Sequence, residues 1–207
     1  MPFRRFLRWL SNLFGKKKII RLGFYGAPNA GKTSLANRIS MDWLGEPVGK
    51  VSEIPHETRE VQKKEHVIVK SKGKELEMNL LDMPGIATKV DYREFSAYGL
   101  KKEEAQQRAK EATKGIIEAI KWLENVDAAL MVMDSSEDPF TQVNITILGN
   151  LEARKIPVII VANKMDSKKA KPEKVKEAFP QHHVVSVSAL TGENMNLLYE
   201  MIAKHAR

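Results

Sequence analysis

The fold is decided by Gly26-Ala27-Pro28-Asn29-Ala30-Gly31-Lys32-Thr33. This stretch follows an apolar run at 19–25 and opens a helical pattern at 34–38, so it matches GxxxxGK[ST] in the required strand, loop and helix order. Glycines permit the tight turn, while backbone N–H groups and the positive end of the helix dipole favour an anion. The stretch therefore predicts a nucleotide phosphate site formed with Ser34, in which Lys32 bridges the β- and γ-phosphates and Thr33 coordinates Mg²⁺.

Short apolar runs alternate with longer amphipathic runs from residue 19 onward, which predicts an α/β fold with a mostly parallel sheet and helices on both faces. We expect six strands at 19–25, 61–70, 75–82, 127–134, 157–163 and 184–188, and helices at 31–44, 101–124, 141–154, 172–178 and 193–205. Only the segment 71–74 separates the second and third strands, so that pair should form an antiparallel hairpin at one edge. The segment 86–100 lacks clean periodicity and is predicted to be a mobile loop.

The distribution of charge divides the chain into a basic N-terminal segment, residues 1–18, and a domain, residues 19–207. The net charge is +8, and residues 1–18 supply most of it because they contain six arginines and lysines and no acid. The chain has no cysteine, which excludes disulfides and thiolate chemistry and fits a cytoplasmic location. No apolar run approaches the length needed to cross a bilayer.

A second motif, Asp82-Met83-Pro84-Gly85, follows the predicted strand 75–82. Its position puts Asp82 at the carboxyl end of a strand, where α/β sheets bind ligands, and makes Asp82 a candidate Mg²⁺ carboxylate. The backbone N–H of Gly85 can contact the γ-phosphate, so loss of that phosphate would release the following loop.

A third motif, Asn163-Lys164-Met165-Asp166, follows the predicted strand 157–163 and supplies a base-recognition site. Asp166 can accept hydrogen bonds from N1–H and the 2-amino group of guanine, whereas adenine offers neither donor, so the motif selects GTP over ATP. We expect Asn163 to brace the loops and Lys164 to lie along the base. The last strand is followed by Ser188, Ala189 and Leu190, which can place a backbone N–H on the guanine O6.

Taken in order and spacing, these motifs resemble the G1, G3, G4 and G5 motifs of the Era-like branch of the translation-factor class of GTPases, over essentially residues 19–207. The resemblance implies a P-loop NTPase G domain that switches between GTP and GDP with Mg²⁺ as cofactor. It also implies that Thr58 is the switch I threonine that contacts Mg²⁺ and the γ-phosphate. Era carries a C-terminal KH domain that binds ribosomal RNA, and an archaeal Era-like protein without that domain fits a chain that ends at Arg207.

The mechanism of hydrolysis is indicated by two residues. Ile86 stands where Ras-like enzymes carry a water-orienting glutamine, so intrinsic hydrolysis of GTP should be slow. The alternative to a slow GTPase is a non-hydrolysing, nucleotide-dependent binding module for a protein or RNA partner. Relatives with a hydrophobic residue at the glutamine position share a second feature, an asparagine in the phosphate loop that helps hold K⁺ beside the phosphates. The corresponding residue here is Asn29. Asn29 is equally explained as a turn residue after Pro28. Related K⁺-using G domains also pair through their switches, which would make a homodimer.

His182 and His183 are adjacent, so on a strand they would point to opposite faces and could not share one metal ion.

The segment 3–14 has apolar residues at helical spacing, with arginines on other positions. Such a basic amphipathic helix suits an anionic membrane surface. The alternatives are that it binds ribosomal RNA or another protein, or packs against its own domain.

Overall fold

The computed structural model describes residues 19–51, 60–71, 74–87, 90, 91, 93, 95 and 97–205. The predictions made for residues 1–18 and for Thr58 lie outside these residues. Six strands are present in the described part of the chain: β1 (Ile19–Tyr25), β2 (Gln62–Ser71), β3 (Lys74–Asp82), β4 (Ala128–Asp134), β5 (Val158–Asn163) and β6 (His183–Ser186). The helices are α1 (Lys32–Leu44), α2 (Lys102–Lys121), α3 (Gln142–Ala153), α4 (Pro172–Ala178) and α5 (Met195–His205), with a 3-10 turn at Trp122–Asn125.

The strands form one sheet in the order β2-β3-β1-β4-β5-β6. β2 pairs with β3 in the antiparallel sense, and the other neighbouring strands are parallel. The predicted fold class, a six-stranded α/β sheet with one antiparallel edge strand, is therefore confirmed. A register shift interrupts the hairpin between Lys64 and Val67, where His66 adopts a φ of 57°, and such a bulge bends an edge strand away from further pairing.

The two faces of the sheet carry different helices. On one face, alternate side chains of β1 pack against α1 and α5. This cluster contains Ile20, Leu22 and Phe24 of β1, Leu35 and Ile39 of α1, and Leu198 and Ile202 of α5. Residues on the opposite face pack against α2, α3 and α4: Tyr25, Leu81, Met131, Ala119, Leu148 and Val175. Because both faces of β4 are covered, its apolar run has no polar alternation, as expected for a buried parallel strand.

The structure differs from the prediction in two places. β6 ends at Ser186 rather than at 188, because the N–H of Ser188 donates to the carbonyl of Glu193 and draws the chain into a turn. The segment 86–100 was predicted to be a mobile loop, but its Phe95 is completely buried against Ala105 and Ala112 of α2. Among the described residues, no helix is both long enough and apolar enough to cross a membrane.

Candidate functional site

The loop between β1 and α1, residues 26–31, is shaped by close backbone approaches. A Cβ on Gly26 would lie 2.2 Å from the carbonyl oxygen of Val132 on β4, so only glycine fits there. Gly31 is the N-cap residue of α1 with a φ of 92°, and a Cβ on it would lie 2.3 Å from Nδ2 of Asn163. Asn29 also has a positive φ, of 58°. The two glycines thus let the loop lie flat against the carboxyl ends of β4 and β5.

Lys32 begins α1 and is almost completely buried, with 6% of its surface exposed. Its ammonium group donates to the carbonyl oxygen of Ala27 at 2.9 Å, which folds the side chain back over the loop. Burial lowers the pKa of Lys32 to about 8, and the negative charge of Asp82 only partly offsets this effect. A lysine in this state gains most from a ligand that brings negative charge to it, such as a phosphate group.

Thr33 and Asp82 form the centre of the candidate magnesium site. The hydroxyl of Thr33, in the first turn of α1 beside Ser34, donates to Oδ2 of Asp82 at 2.6 Å, and Asp82 is fully buried at the end of β3. Among the described residues, no group of three His, Asp or Glu side chains could hold a metal ion. These two oxygens fit Mg²⁺ nevertheless, because Mg²⁺ in nucleotide sites is commonly held by one or two side chains, phosphate oxygens and water.

The segment after Asp82 lies directly against the phosphate loop. A Cβ on Gly85 would come within 2.9 Å of Cα of Pro28, and the N–H of Ile86 donates to the carbonyl oxygen of Gly26 at 3.2 Å. The side chain of Ile86 is 6% exposed and packs in the core cluster on the α2 and α3 face of the sheet. The residue that stands in the glutamine position is therefore turned into the core, away from solvent.

Asn163, the last residue of β5, joins three parts of the site. Its Nδ2 donates to the carbonyl oxygen of Ala30 at 3.0 Å, and its Oδ1 accepts from the N–H of Ala189 at 3.0 Å. The side chain is 2% exposed, so both hydrogen bonds are shielded from water. The bracing arrangement expected of Asn163 is present in the structure, and it connects the phosphate loop to the two base-side motifs.

Asp166 is held in position by Ser188. The Ser188 hydroxyl donates to Oδ1 of Asp166 at 2.5 Å and accepts from the N–H of Thr191 at 3.0 Å. This hydrogen bond orients the carboxylate and leaves Oδ2 for a further donor. The N–H groups of Ser188 and Ala189 are used by Glu193 and Asn163, so within this tripeptide Leu190, which is 77% exposed, is the remaining backbone donor for a ligand.

Lys164 has a partner that sequence reasoning missed. Its ammonium group lies 2.7 Å from Oδ2 of Asp134, the last residue of β4. Burial alone would raise the pKa of Asp134, but hydrogen bonds from Lys164 and from Ser136 outweigh it and hold the pKa below its usual range. The signal was available, because Asp134 ends a strand at the same edge of the sheet as Asp82 and Asn163.

The structure thus brings together every described residue of the predicted site, in the loops at the carboxyl ends of β1, β3, β5 and β6. His182 stands apart from the site, since its Nε2 is 2.7 Å from Oε1 of Glu152 on α3. Thr58 lies outside the described residues, so its place in the site stays a prediction.

Comparisons with known proteins agree on one family. The family model described as "50S ribosome-binding GTPase" matches residues 21–164. GTPase Der of Campylobacter hominis is 28% identical over 196 residues, which cover 91% of this chain and 37% of Der. GTPase Era of Clostridium acetobutylicum is 28% identical over 185 residues, which cover 87% of this chain and 53% of Era. The chain therefore spans about half of these relatives or less.

Solved structures show the same fold. Era from Aquifex aeolicus bound to GDP and AlF₄⁻ superposes with a TM-score of 0.68 and 25% identity, over 91% of this chain and 57% of that one. The G domain of the FeoB iron transporter from Thermotoga maritima superposes with a TM-score of 0.54 and 24% identity, over 91% of this chain and 99% of that one.

Proposed function

Because the chain belongs to the 50S ribosome-binding GTPase family, we propose that it is a Mg²⁺-dependent GTP/GDP switch that hydrolyses GTP slowly. The observation that carries this proposal is the pair of buried hydrogen bonds made by the Asn163 side chain, one donated to Ala30 and one accepted from Ala189, which tie the phosphate loop and the base-side loops into one site. A nucleotide that contacts both ends must fit the distance that this side chain sets.

The phosphate end of the site would bind through charge and backbone donors. Lys32 would contact the β- and γ-phosphates, and the N–H groups of Asn29, Ala30, Gly31 and the first turn of α1 would surround them. Mg²⁺ would be held by the hydroxyl oxygen of Thr33. Asp82 would act on the ion indirectly, through its hydrogen bond from that hydroxyl or through a water molecule. The metal, when bound, neutralises charge on the phosphates.

The γ-phosphate would be sensed by Gly85 through its N–H and by Thr58 through its hydroxyl. Gly85 lies against Pro28 of the phosphate loop, so a shift of either segment displaces the other. Loss of the γ-phosphate would therefore release both segments, which a partner could recognise.

The base end would recognise guanine through Asp166, whose carboxylate is oriented by Ser188. Lys164 would lie along the base while it keeps its ion pair with Asp134. Binding of GTP, GDP and ATP can be measured by isothermal titration calorimetry with the purified chain in magnesium buffer. Submicromolar to micromolar binding of both guanine nucleotides is expected, and tighter binding of ATP would overturn the assignment of Asp166.

Slow hydrolysis is supported by Ile86, whose side chain is buried in the core and cannot orient a water molecule. A K⁺ ion held by Asn29 beside the phosphates could supply the missing transition-state charge. We expect faster turnover in KCl than in NaCl, and Asn29→Ala should abolish the difference. Equal rates in both salts would remove the K⁺ proposal while leaving the switch intact.

The burial of Ile86 also supports a second candidate, a binding module that exchanges nucleotide without turning it over. The two candidates are separated by single-turnover hydrolysis measured with a saturating amount of protein. Release of phosphate faster than uncatalysed GTP hydrolysis supports the switch enzyme, and no excess release supports the binding module.

Residues 1–18 are proposed to bring the protein from the cytoplasm to an anionic surface, either a membrane or ribosomal RNA, on the grounds of their charge and apolar spacing alone. Era has been solved in complex with a 16S ribosomal RNA fragment, which makes a ribosome the first RNA surface to test. Liposome flotation and ribosome cosedimentation with and without residues 1–18 distinguish these surfaces. Pairing through the switches is tested by light scattering with GDP and AlF₄⁻.

A further inference from the structure

The base end of the site contains a second carboxylate, which lies close to Lys164. Asp134 ends β4, opposite Asn163 of β5, and belongs to none of the sequence motifs. The ammonium group of Lys164 is 2.7 Å from Oδ2 of Asp134, and the side chains of Asp134 and Lys164 are 17% and 37% exposed. The lysine that the proposed function places along the base is therefore paired with a carboxylate that no motif predicts.

The carboxylate of Asp134 is fixed by the turn that follows it. Its Oδ1 accepts hydrogen bonds from the N–H of Ser136 at 2.9 Å and from the hydroxyl of Ser136 at 2.6 Å. The N–H of Ser135 donates to the carbonyl of Asn163 at 3.0 Å, and the carbonyl of Ser135 accepts from the N–H of Lys171 at 2.7 Å. Because both Ser136 donors use Oδ1, the carboxylate presents Oδ2 to the ammonium group.

Asp134 is ionised at neutral pH and attracts Lys164 strongly. Burial acts to raise the pKa of Asp134, but hydrogen bonds from Lys164 and Ser136 hold this pKa below its usual range. Asp166, in contrast, is exposed. An ion pair is stronger where water is partly excluded, so the ammonium group of Lys164 is held by Asp134 in preference to Asp166.

Lys164 would otherwise have Asp166 within reach. Lys164 has a left-handed φ of 65°, and its carbonyl accepts from the N–H of Ser167 at 2.9 Å, so residues 164–167 form one turn. The first and last Cα atoms of such a turn lie within about 7 Å of each other, and the flexible four-carbon stem of a lysine spans this distance. An ammonium group on Oδ2 of Asp166 would occupy the oxygen that is left for a further donor.

We propose that Asp134 is a positioning residue for guanine selection, because it holds the ammonium group of Lys164 away from Asp166. This inference rests on the proposed function, since it concerns how the same base site keeps its carboxylate open for guanine. Without a negative charge at position 134, Lys164 turns to Asp166 and competes with the N1–H and 2-amino group of guanine. Adenine offers neither donor, so this competition does not affect it. Loss of Asp134 therefore reduces the preference for guanine rather than the affinity for every nucleotide.

The test is Asp134→Asn in the full chain, with the Kd values of GDP and ADP measured by competition against a fluorescent GDP analogue in magnesium buffer. Asparagine has nearly the same shape and keeps an oxygen for Ser136, but it carries no charge for Lys164. Phosphate contacts are common to both nucleotides and cancel in the ratio of the two Kd values. We expect Asp134→Asn to reduce the preference for GDP by about 2- to 5-fold, because the competing ion pair is exposed.

Two measurements separate this role from a structural one. The double variant Asp134→Asn, Lys164→Met should show the same preference as Lys164→Met alone, since methionine has a long side chain but no ammonium group to compete. Raising NaCl from about 0.05 M to about 0.5 M should restore part of the preference of Asp134→Asn, because salt screens an exposed ion pair. Damage to the turn after β4 would produce neither result.

Asp127→Asn is the matched control at the other end of β4. Asp127 is 8% exposed, and its Oδ1 is 3.0 Å from Nη2 of Arg21, so this variant removes an ion pair outside the nucleotide site. It should lower Tm and leave the preference for GDP within about twofold of the wild-type value. Ser136→Ala removes one hydrogen bond to Asp134 without removing its charge, and it should also leave the preference within about twofold. If Asp134→Asn does not fold, Asp134→Ser takes its place, since serine suits the same turn.

The inference is overturned if the folded Asp134 variant keeps the wild-type preference, or if it loses that preference equally in the Lys164→Met background. It is also overturned if the loss does not respond to salt, or if Asp127→Asn causes the same loss. A wild-type protein without any preference for GDP over ADP would refute the proposed function, and this inference with it. A wild-type preference that survives the loss of Asp134 refutes this inference alone, so the two failures are distinguishable.

Discussion

Replacing Asn163 by alanine tests whether one buried side chain holds the nucleotide site together. The variant removes the hydrogen bonds to the carbonyl oxygen of Ala30 and from the N–H of Ala189, both 3.0 Å long and shielded from water. Leaving a buried backbone group without a partner costs about 1 to 3 kcal/mol, so the two together cost roughly 2 to 6 kcal/mol. For a chain of this length that corresponds to a fall in Tm of roughly 4 to 24 °C.

Part of this loss should appear as nucleotide affinity, since the phosphate loop and the Ala189 loop would no longer be fixed relative to each other. We expect the Kd for GDP, measured with a fluorescent analogue, to rise by about 10- to 100-fold. The matched control is Asn144→Ala on α3, another buried asparagine, whose Nδ2 donates to the carbonyl oxygen of Pro139 at 3.1 Å. It should lower Tm while leaving Kd within about twofold of the wild-type value.

The reasoning is refuted if Asn163→Ala lowers Tm without changing Kd, or if both variants weaken binding equally. The first result would mean that the loops keep their positions without the side chain. The second would mean that affinity follows global stability.

Three further predictions address single residues. Gly149→Ala should raise the free energy of unfolding, measured by urea titration, by about 0.5 to 1 kcal/mol. Gly149 lies exposed within α3, and an added Cβ meets no atom within 4 Å. No change in this free energy, or a loss, would contradict the prediction. Gly85→Ala should weaken GTP binding more than GDP binding in competition assays, since its Cβ would lie 2.9 Å from Cα of Pro28; equal losses for both nucleotides would contradict a γ-phosphate role. Burial, assisted by the charges of Lys204 and His182, lowers the pKa of His183, so the unfolded chain binds a proton more readily and stability should fall as pH drops below about 6.5. His183→Gln should reduce that fall in melts at pH 7.5 and pH 5, and an unchanged pH dependence would contradict the assignment.

The sequence predicted most of the fold because its two strongest signals are local. Apolar runs located each strand to within two residues, and the short 71–74 connection predicted the antiparallel hairpin. Phe95 was missed because it packs on Ala105 and Ala112, two small residues that carry little hydrophobic signal. Its contact is made in three dimensions, so the periodicity of the surrounding residues did not reveal it.

The same distinction applies to the site. Motifs predicted Lys32, Thr33 and Asp82, because their chemistry depends on residue type and spacing. Asp134 belongs to none of these motifs, and its pairing with Lys164 depends on the order of β4 and β5 in the sheet. Ile86 was recognised as unable to orient water, but only the structure shows that its side chain packs in the core.

The two ends of the site are prepared for nucleotide in different ways. At the proposed base end, Asp166, Asn163 and Lys164 are held by hydrogen bonds or an ion pair to neighbouring residues, so a guanine bound there would meet groups that are already oriented. At the phosphate end, Lys32 is buried with a lowered pKa, and Asp82 offsets that burial only in part. A phosphate bound there would therefore stabilise the charge of Lys32, whereas guanine is a neutral base and would bring no charge to its end of the site. We infer that the base end sets which nucleotide is bound, and that the phosphate end makes the protein respond to how many phosphates the nucleotide carries.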